Sequence, residues 1–288
     1  MKSENDQNRD IRPGHVKEIT STANPVIKSI RALSMKKNRD EGGLFLAEGM
    51  KLVTDAILNG WRSRTFIHAK SAATNENVQQ VAAKARALGA DILEVNEKVL
   101  GAISRRENPQ TVIGVFEQAW TEPADLFSRL TGPGDVLLGL DRVRDPGNLG
   151  TIIRTADAVG AKGILLIGET TDPFSLEATR ASMGSIFNIA LGRISETDLI
   201  DARPAIPARV AGTHLEGTVD YRSMDWSAGP VFLMMGNEQQ GLTDKLAGIC
   251  DDLLLIPMAG RADSLNLAVA TGVTLFEVRR SFLEMGEG

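Results

Sequence analysis

From Asp135 onward the chain alternates short runs of Val, Ile and Leu with stretches of helical period, and this rhythm constrains the fold more than any other feature. Strands are expected at 136–140, 163–167, 188–191, 208–213, 231–235 and 252–256, with helices at 149–159, 175–186, 243–248 and 264–284. Apolar runs this short, set between helices, are those of strands buried on both faces. The expected fold class is therefore α/β, a mostly parallel sheet with helices on both faces. The stretch 197–207 is weaker, because Pro204 and Pro207 limit any helix there. Ligands of open α/β sheets bind just beyond the carboxyl ends of strands. Three polar, glycine-containing islands occupy such ends: 145–157 after 136–140, 236–242 after 231–235, and 256–267 after 252–255.

The first half reads as a smaller α/β domain over 15–118. Asn24-Pro25 is a helix start, followed by an amphipathic stretch with Val26, Ile27, Ile30 and Leu33 on one face. Strands are expected near 43–47, 64–67, 91–94 and 111–116, and helices at 48–58 and 78–88. Residues 1–14 are polar and read as a disordered tail. Residues 119–134 carry Pro123, Gly132, Pro133 and Gly134 and read as a linker before the domain 135–288.

Net charge is −5, but its distribution is uneven. Residues 1–119 hold 18 Lys and Arg against 14 Asp and Glu, and residues 120–288 hold 14 against 23. Lys28, Arg31, Lys36, Lys37 and Arg39 form a basic stripe suited to RNA phosphates. A solvated helix face is the plainer reading of the same charges. A lone cysteine, Cys250, excludes an intramolecular disulfide, and His15, His68 and His214 are too scattered to suggest a metal site. The sequence has no apolar run of membrane-spanning length and no signal-peptide core near its start, so the expected compartment is the cytoplasm.

Residues 236–241 have phosphate-loop glycine spacing, but Leu242-Thr243 stands where the phosphate loop needs Lys before Ser or Thr. A Gly-x-Gly-x-x-Gly turn after a strand is also missing, which disfavours a dinucleotide site. Taken together, Asn148-Leu-Gly-Thr-Ile-Ile-Arg154, Gly236-Asn-Glu-Gln-Gln-Gly-Leu242 and Ile256-Pro-Met-Ala-Gly260 with Ser264-Leu-Asn266 closely resemble the three ordered motifs of the SpoU (TrmH-type) branch of the SPOUT RNA methyltransferases. Ser21-Thr-Ala-Asn-Pro25, the basic helix after it and Phe45-Leu-Ala-Glu-Gly49 resemble the substrate-binding domain of many members, so the likeness spans nearly the whole chain.

The resemblance implies a deep trefoil knot, a rare exception among folds. It implies S-adenosylmethionine as cofactor, a homodimer with its active site at the subunit interface, and methyl transfer to a ribose 2′-hydroxyl of RNA, with rRNA favoured over tRNA. By motif position, Arg154 engages the ribose, Asn148 orients it, and Glu238 binds Arg154 or the ribose. Arginine, with a pKa above ~12, is a poor base, which favours a role at the target phosphate and the developing alkoxide. Ser264 and Asn266 complete the catalytic set; for Ser264, an N-cap of the last helix is an equal reading. Gly236, Gly241, Ile256, Met258 and Leu265 are expected at the cofactor, joined by Thr213 at another strand end. The competing readings are a non-catalytic RNA-binding or assembly protein that keeps the fold, and a small-molecule nucleotide-binding protein.

Overall fold

The computed structural model describes residues 12–261 and 263–284. The chain divides into two compact units: 1–118 with 174–180, and 119–173 with 181–288.

The first unit runs β1 (Val16–Ile19), α1 (Pro25–Ala32), α2 (Lys36–Gly42), β2 (Leu44–Glu48), α3 (Met50–Leu58), β3 (Ser63–Ala69), α4 (Glu76–Ala87), β4 (Asp91–Val95), α5 (Glu97–Ser104) and β5 (Val112–Glu117). Its sheet has the order β1-β4-β3-β5-β2. The first three strands are parallel, and β5 is antiparallel to both β3 and β2. Asn24 caps α1 by accepting from the Val26 N–H at 2.9 Å, and Pro25 opens it, as the sequence signal requires. Ile27 and Ile30 then enter a core with Leu46, Ile67, Leu93 and Leu100. The returning segment 174–180 completes this unit. Phe174 is fully buried with its ring 4.7 Å from that of Phe45, and Arg180 grips the buried Glu48 carboxylate at 2.8–3.0 Å. Strand β1 and helix α5 were not foreseen from sequence. Of the expected tail, residues 1–11 lie outside the described residues; Gly14 is tied to Arg86 by two hydrogen bonds.

The second unit contains α6 (Pro123–Phe127), β6 (Val136–Asp141), α7 (Pro146–Ala158), β7 (Gly163–Ile167), α8 (Leu176–Ala181, mostly within the first unit), β8 (Leu191–Ile194), α9 (Glu196–Ala202), β9 (Arg209–Thr213), β10 (Val219–Asp220), β11 (Val231–Met235), α10 (Asp244–Ala247), β12 (Asp252–Leu255) and α11 (Leu267–Arg279). All seven strands pair in parallel in the order β10-β12-β9-β11-β6-β7-β8. The central β6, β7 and β11 are buried at every residue, which is why they read as unbroken apolar runs. From β6 the chain steps outward through β7 and β8, then crosses to the other side for β9. The strand order therefore reverses between β6 and β11, and that switch point is where the fold opens a crevice at the carboxyl ends.

Several expectations need correction. Residues 119–134 do not form a linker: Pro123 opens α6, and Leu126, Phe127 and Leu130 are buried in the second unit's core. The Pro and Gly residues mark a helix start and a turn there. Residues 197–207 do hold a helix, α9, capped by Ser195 and complete before Pro204. The helix expected to reach 186 stops at Ala181, where Met183 and Gly184 take positive φ. The strand expected at 188–191 begins only at Leu191.

Candidate active site

The three islands meet at the switch point. β6 and β11 lie side by side with Leu140 opposite Met235, so the loops leaving their carboxyl ends are neighbours. The first island enters α7, which Asp145 caps by accepting from the Asn148 N–H at 2.6 Å. Asn148 is thus inside the first helical turn, and its amide is left for other partners. Its Nδ2 reaches the Glu238 Oε1 at 3.4 Å, and its Oδ1 accepts from the Asn266 Nδ2 at 3.0 Å. One residue from each island therefore joins a single chain of polar contacts, Asn266–Asn148–Glu238.

The second island is a tight loop closed by paired main-chain hydrogen bonds between Asn237 and Gly241, at 2.9 and 3.1 Å. A Cβ on Gly236 would stand 2.2 Å from the Gly241 carbonyl carbon and the Leu242 nitrogen, so only glycine permits this closure. Gly241 takes φ +69, also a glycine conformation. Asn237 is buried; its Oδ1 accepts from the Gln239 and Gln240 N–H groups, and its Nδ2 donates to the Arg142 carbonyl at 2.8 Å. Glu238 is left half-buried beside Asn148.

The third island leaves β12 and ends at α11. Asn266, rather than Ser264, is the N-cap: its Oδ1 accepts from the Ala268 and Val269 N–H groups. Ser264 is exposed two residues earlier, and its hydroxyl makes no hydrogen bond with another described residue. The capping reading of Ser264 is thereby overturned, because the first helical residue is Leu267.

Arg154 lies two turns along α7, exposed, and its guanidinium has no ion pair or hydrogen bond with another described residue. Six helical residues place it about 9 Å along and about 120° around from Asn148. The structure therefore does not bring Arg154 to Asn148 or Glu238, and the expected orienting contact is absent within this chain. The two arginines just before the first island, Arg142 and Arg144, differ in setting. Arg142 is folded inward on Asp141, whose carboxylate raises the guanidinium pKa above its ordinary value, whereas Arg144 is exposed.

Thr213 ends β9 with its hydroxyl 3.5 Å from the Met235 sulfur. His214, weighed in the sequence only as a metal ligand, sits beside Gly241, its Cδ2 4.0 Å from where a Cβ would be. Ile256 is half-buried, while Met258 and Leu265 keep 40% and 38% of their surface exposed. Partly exposed apolar side chains and a glycine-closed loop suit a ligand with an adenine face and a sulfonium-linked aliphatic chain. The residues present therefore fit S-adenosylmethionine. Among the described residues no cluster of His, Cys, Asp or Glu is arranged to hold a metal.

In the first unit, Lys28, Arg31, Lys36 and Lys37 are exposed, as a phosphate-contacting stripe needs. Arg39 is not part of it. It is 4% exposed and donates to the Leu33 carbonyl at 2.8 Å, because the break between α1 and α2 turns it toward the core.

Residues 135–276 match the model of the SpoU rRNA Methylase family, and residues 24–114 match that of the MRM3-like substrate binding domain. The chain is 34% identical to a 23S rRNA (uridine(2479)-2′-O)-methyltransferase of Streptomyces viridochromogenes, over 86% of each chain. It is 30% identical to a 23S rRNA (guanosine(2553)-2′-O)-methyltransferase of Bacillus subtilis, over 92% of this chain and all of that one. The crystal structure of an AdoMet-bound rRNA methyltransferase from Sinorhizobium meliloti superposes with a TM-score of 0.88, at 54% identity, over 94% of this chain and all of that one.

Proposed function

The chain belongs to the SpoU rRNA methylase family, and from that membership we propose that it transfers a methyl group from S-adenosylmethionine to a ribose 2′-hydroxyl of 23S rRNA. The observation that carries this reading is the contact chain Asn266–Asn148–Glu238, which draws all three islands onto one crevice. When bound, S-adenosylmethionine supplies an electrophilic methyl group. The main chain of loop 236–241, Thr213, Ile256, Met258 and Leu265 would hold it.

The residues of the chain then have separable tasks. Arg154, an exposed guanidinium, binds the target phosphate and stabilises the negative charge that develops on the 2′-oxygen. Asn148 and Asn266 fix the Glu238 carboxylate, which orients the ribose. Ser264, free of capping duty, faces the RNA. Lys28, Arg31, Lys36 and Lys37 supply the sequence-independent grip on the rRNA backbone.

We further infer a homodimer and, with the family, the knotted threading of the C-terminal loops. Support for the dimer lies on α11, where Val269, Val273 and Phe276 recur at helical spacing and are 52%, 37% and 51% exposed. A second copy covering that face would also supply Arg154 with partners that no other described residue provides. Action on ribosomal RNA supports the cytoplasm as its compartment.

The test uses purified protein, deproteinised 23S rRNA and methyl-labelled S-adenosylmethionine. Ribose 2′-O-methylation leaves label in alkali-resistant dinucleotides, the expected result. Label in free bases would overturn the ribose assignment, and no label would overturn the activity.

A further inference from the structure

The three-motif comparison gives no task to Arg142, yet its guanidinium hydrogen-bonds to both the end of β6 and the loop after β11. Its backbone sits at φ +49, in the left-handed region that costs a side-chain-bearing residue about 1 kcal/mol or more. Its Nε and Nη2 donate to Asp141 Oδ1 and Oδ2 at 2.9 and 2.8 Å. Asp141 ends β6 and is 1% exposed. The rest of the guanidinium points across to the second island: Nη1 donates to Gln240 Oε1 at 2.9 Å, and Nη2 to the Gly241 carbonyl at 3.2 Å. The Arg142 carbonyl in turn accepts from the buried Asn237 Nδ2. One residue thus ties the end of β6 to the loop after β11 through both main chain and side chain.

We propose that Arg142 is the positioning residue of the cofactor loop, a clamp anchored on Asp141 that holds residues 237–241 in their binding shape. The inference rests on the methyltransferase reading above. The unusual φ has a physical purpose here. It turns the side chain back over its own strand end so that the fork meets Asp141, leaving one edge for Gln240 and Gly241. A charged anchor in a site 1% exposed is well suited to fix geometry, since charge-assisted bonds are the strong ones. The clamp acts through the loop, so its effect falls on cofactor affinity and leaves the transfer step alone.

Arg142→Gly tests this directly, because glycine keeps the positive φ without strain and removes the side chain that forms the clamp. The full-length protein is used, with three readouts: S-adenosylmethionine affinity by calorimetry without RNA, amide hydrogen exchange over 237–241, and steady-state methyl transfer. The expected result is about tenfold weaker cofactor binding, faster exchange at the Gly241 amide, and a raised KM for cofactor with kcat within about twofold at saturation. Unchanged affinity and unchanged loop exchange overturn the proposal. So does a fall in kcat at constant KM, which would place Arg142 in the transfer step. Gln240→Ala removes one exposed end of the clamp and covers the case in which the glycine variant does not fold. It should weaken cofactor binding in the same direction, and no effect from it would count against the clamp. If the wild-type chain fails to bind S-adenosylmethionine, the methyltransferase reading falls; if wild type binds and both variants bind equally well, only the clamp does.

Discussion

Asn266 has two jobs that one atom exchange can separate. Its Oδ1 caps α11 through Ala268 and Val269, and its Nδ2 holds Asn148 at 3.0 Å. Asn266→Ala removes both. A lost cap costs about 1 kcal/mol, and a lost, partly solvated hydrogen bond about 0.5 kcal/mol. At roughly 2–4 °C per kcal/mol for a domain of this size, Tm should fall by about 5 °C. Asn266→Asp keeps an oxygen for the cap and adds a negative charge at a helix N-terminus, worth about 0.5 kcal/mol. Tm should then hold within about 1 °C. Yet the introduced carboxylate faces the Asn148 Oδ1, acceptor against acceptor. If the Asn148 amide flips to answer it, the repulsion moves to Glu238. One link of the chain is lost either way, so methyl transfer should drop about tenfold or more. The assay pairs thermal unfolding with turnover at saturating cofactor. Full turnover in Asn266→Asp would refute the functional network. An equal loss of Tm in both variants would refute the capping assignment.

Other outcomes follow from the same geometry. Gly236→Ala should lose cofactor binding by calorimetry and unfold at least ~5 °C lower, since its Cβ would strike backbone at 2.2 Å. Gly241→Ala, which meets only His214 at 4.0 Å, should lose just the about 1–2 kcal/mol of positive-φ strain. Replacing Lys28, Arg31, Lys36 and Lys37 by Ala should weaken rRNA binding and reduce the slope of log K against log salt by about three, measured by filter binding. Point variants are the right tool there, because deleting 1–118 would strip Phe174, which is fully buried, and the half-buried Arg180 of their partners. The Cys250 thiol is pushed up to about 12 by burial and the nearby Asp251. Folded protein should therefore resist alkylation at pH 8 and react on unfolding. The unfolded chain releases this proton from about pH 9 upward while the fold retains it, so stability should fall between there and about pH 12.

Much of the second unit was legible because its strands are buried on both faces, which leaves unbroken apolar runs, and its loops carry residue types that the crevice requires. What was not legible depends on contacts distant in sequence. Ser264 and Asn266 are both competent caps, and the choice was settled by where Leu267 and Ala268 enter the core. Arg39 looked like the end of a basic stripe; a turn at 33–35 shifts the helical phase and buries it. Pro123 was read as a linker mark because a proline at a helix start and one in a hinge look alike until Leu126 and Leu130 find a core. Arg142 shows the same limit: its task is defined by Gln240 and Gly241, roughly a hundred residues away. The mismatch at Arg154 is of another kind, since the motif implies neighbours that a single chain does not bring to it.

Methylation of a 23S rRNA ribose by Arg154 and the three islands is open to test in cells. Mapping 2′-O-methyl sites on total RNA from cells lacking the gene, and from the same cells carrying wild-type or Arg154→Ala protein, tests it most directly. One 23S position, or a very few, should lose methylation in the deletion, regain it with wild type and stay unmethylated with Arg154→Ala, while the purified variant still binds S-adenosylmethionine. An unchanged methylation map in the deletion, or full restoration by Arg154→Ala, would contradict the account.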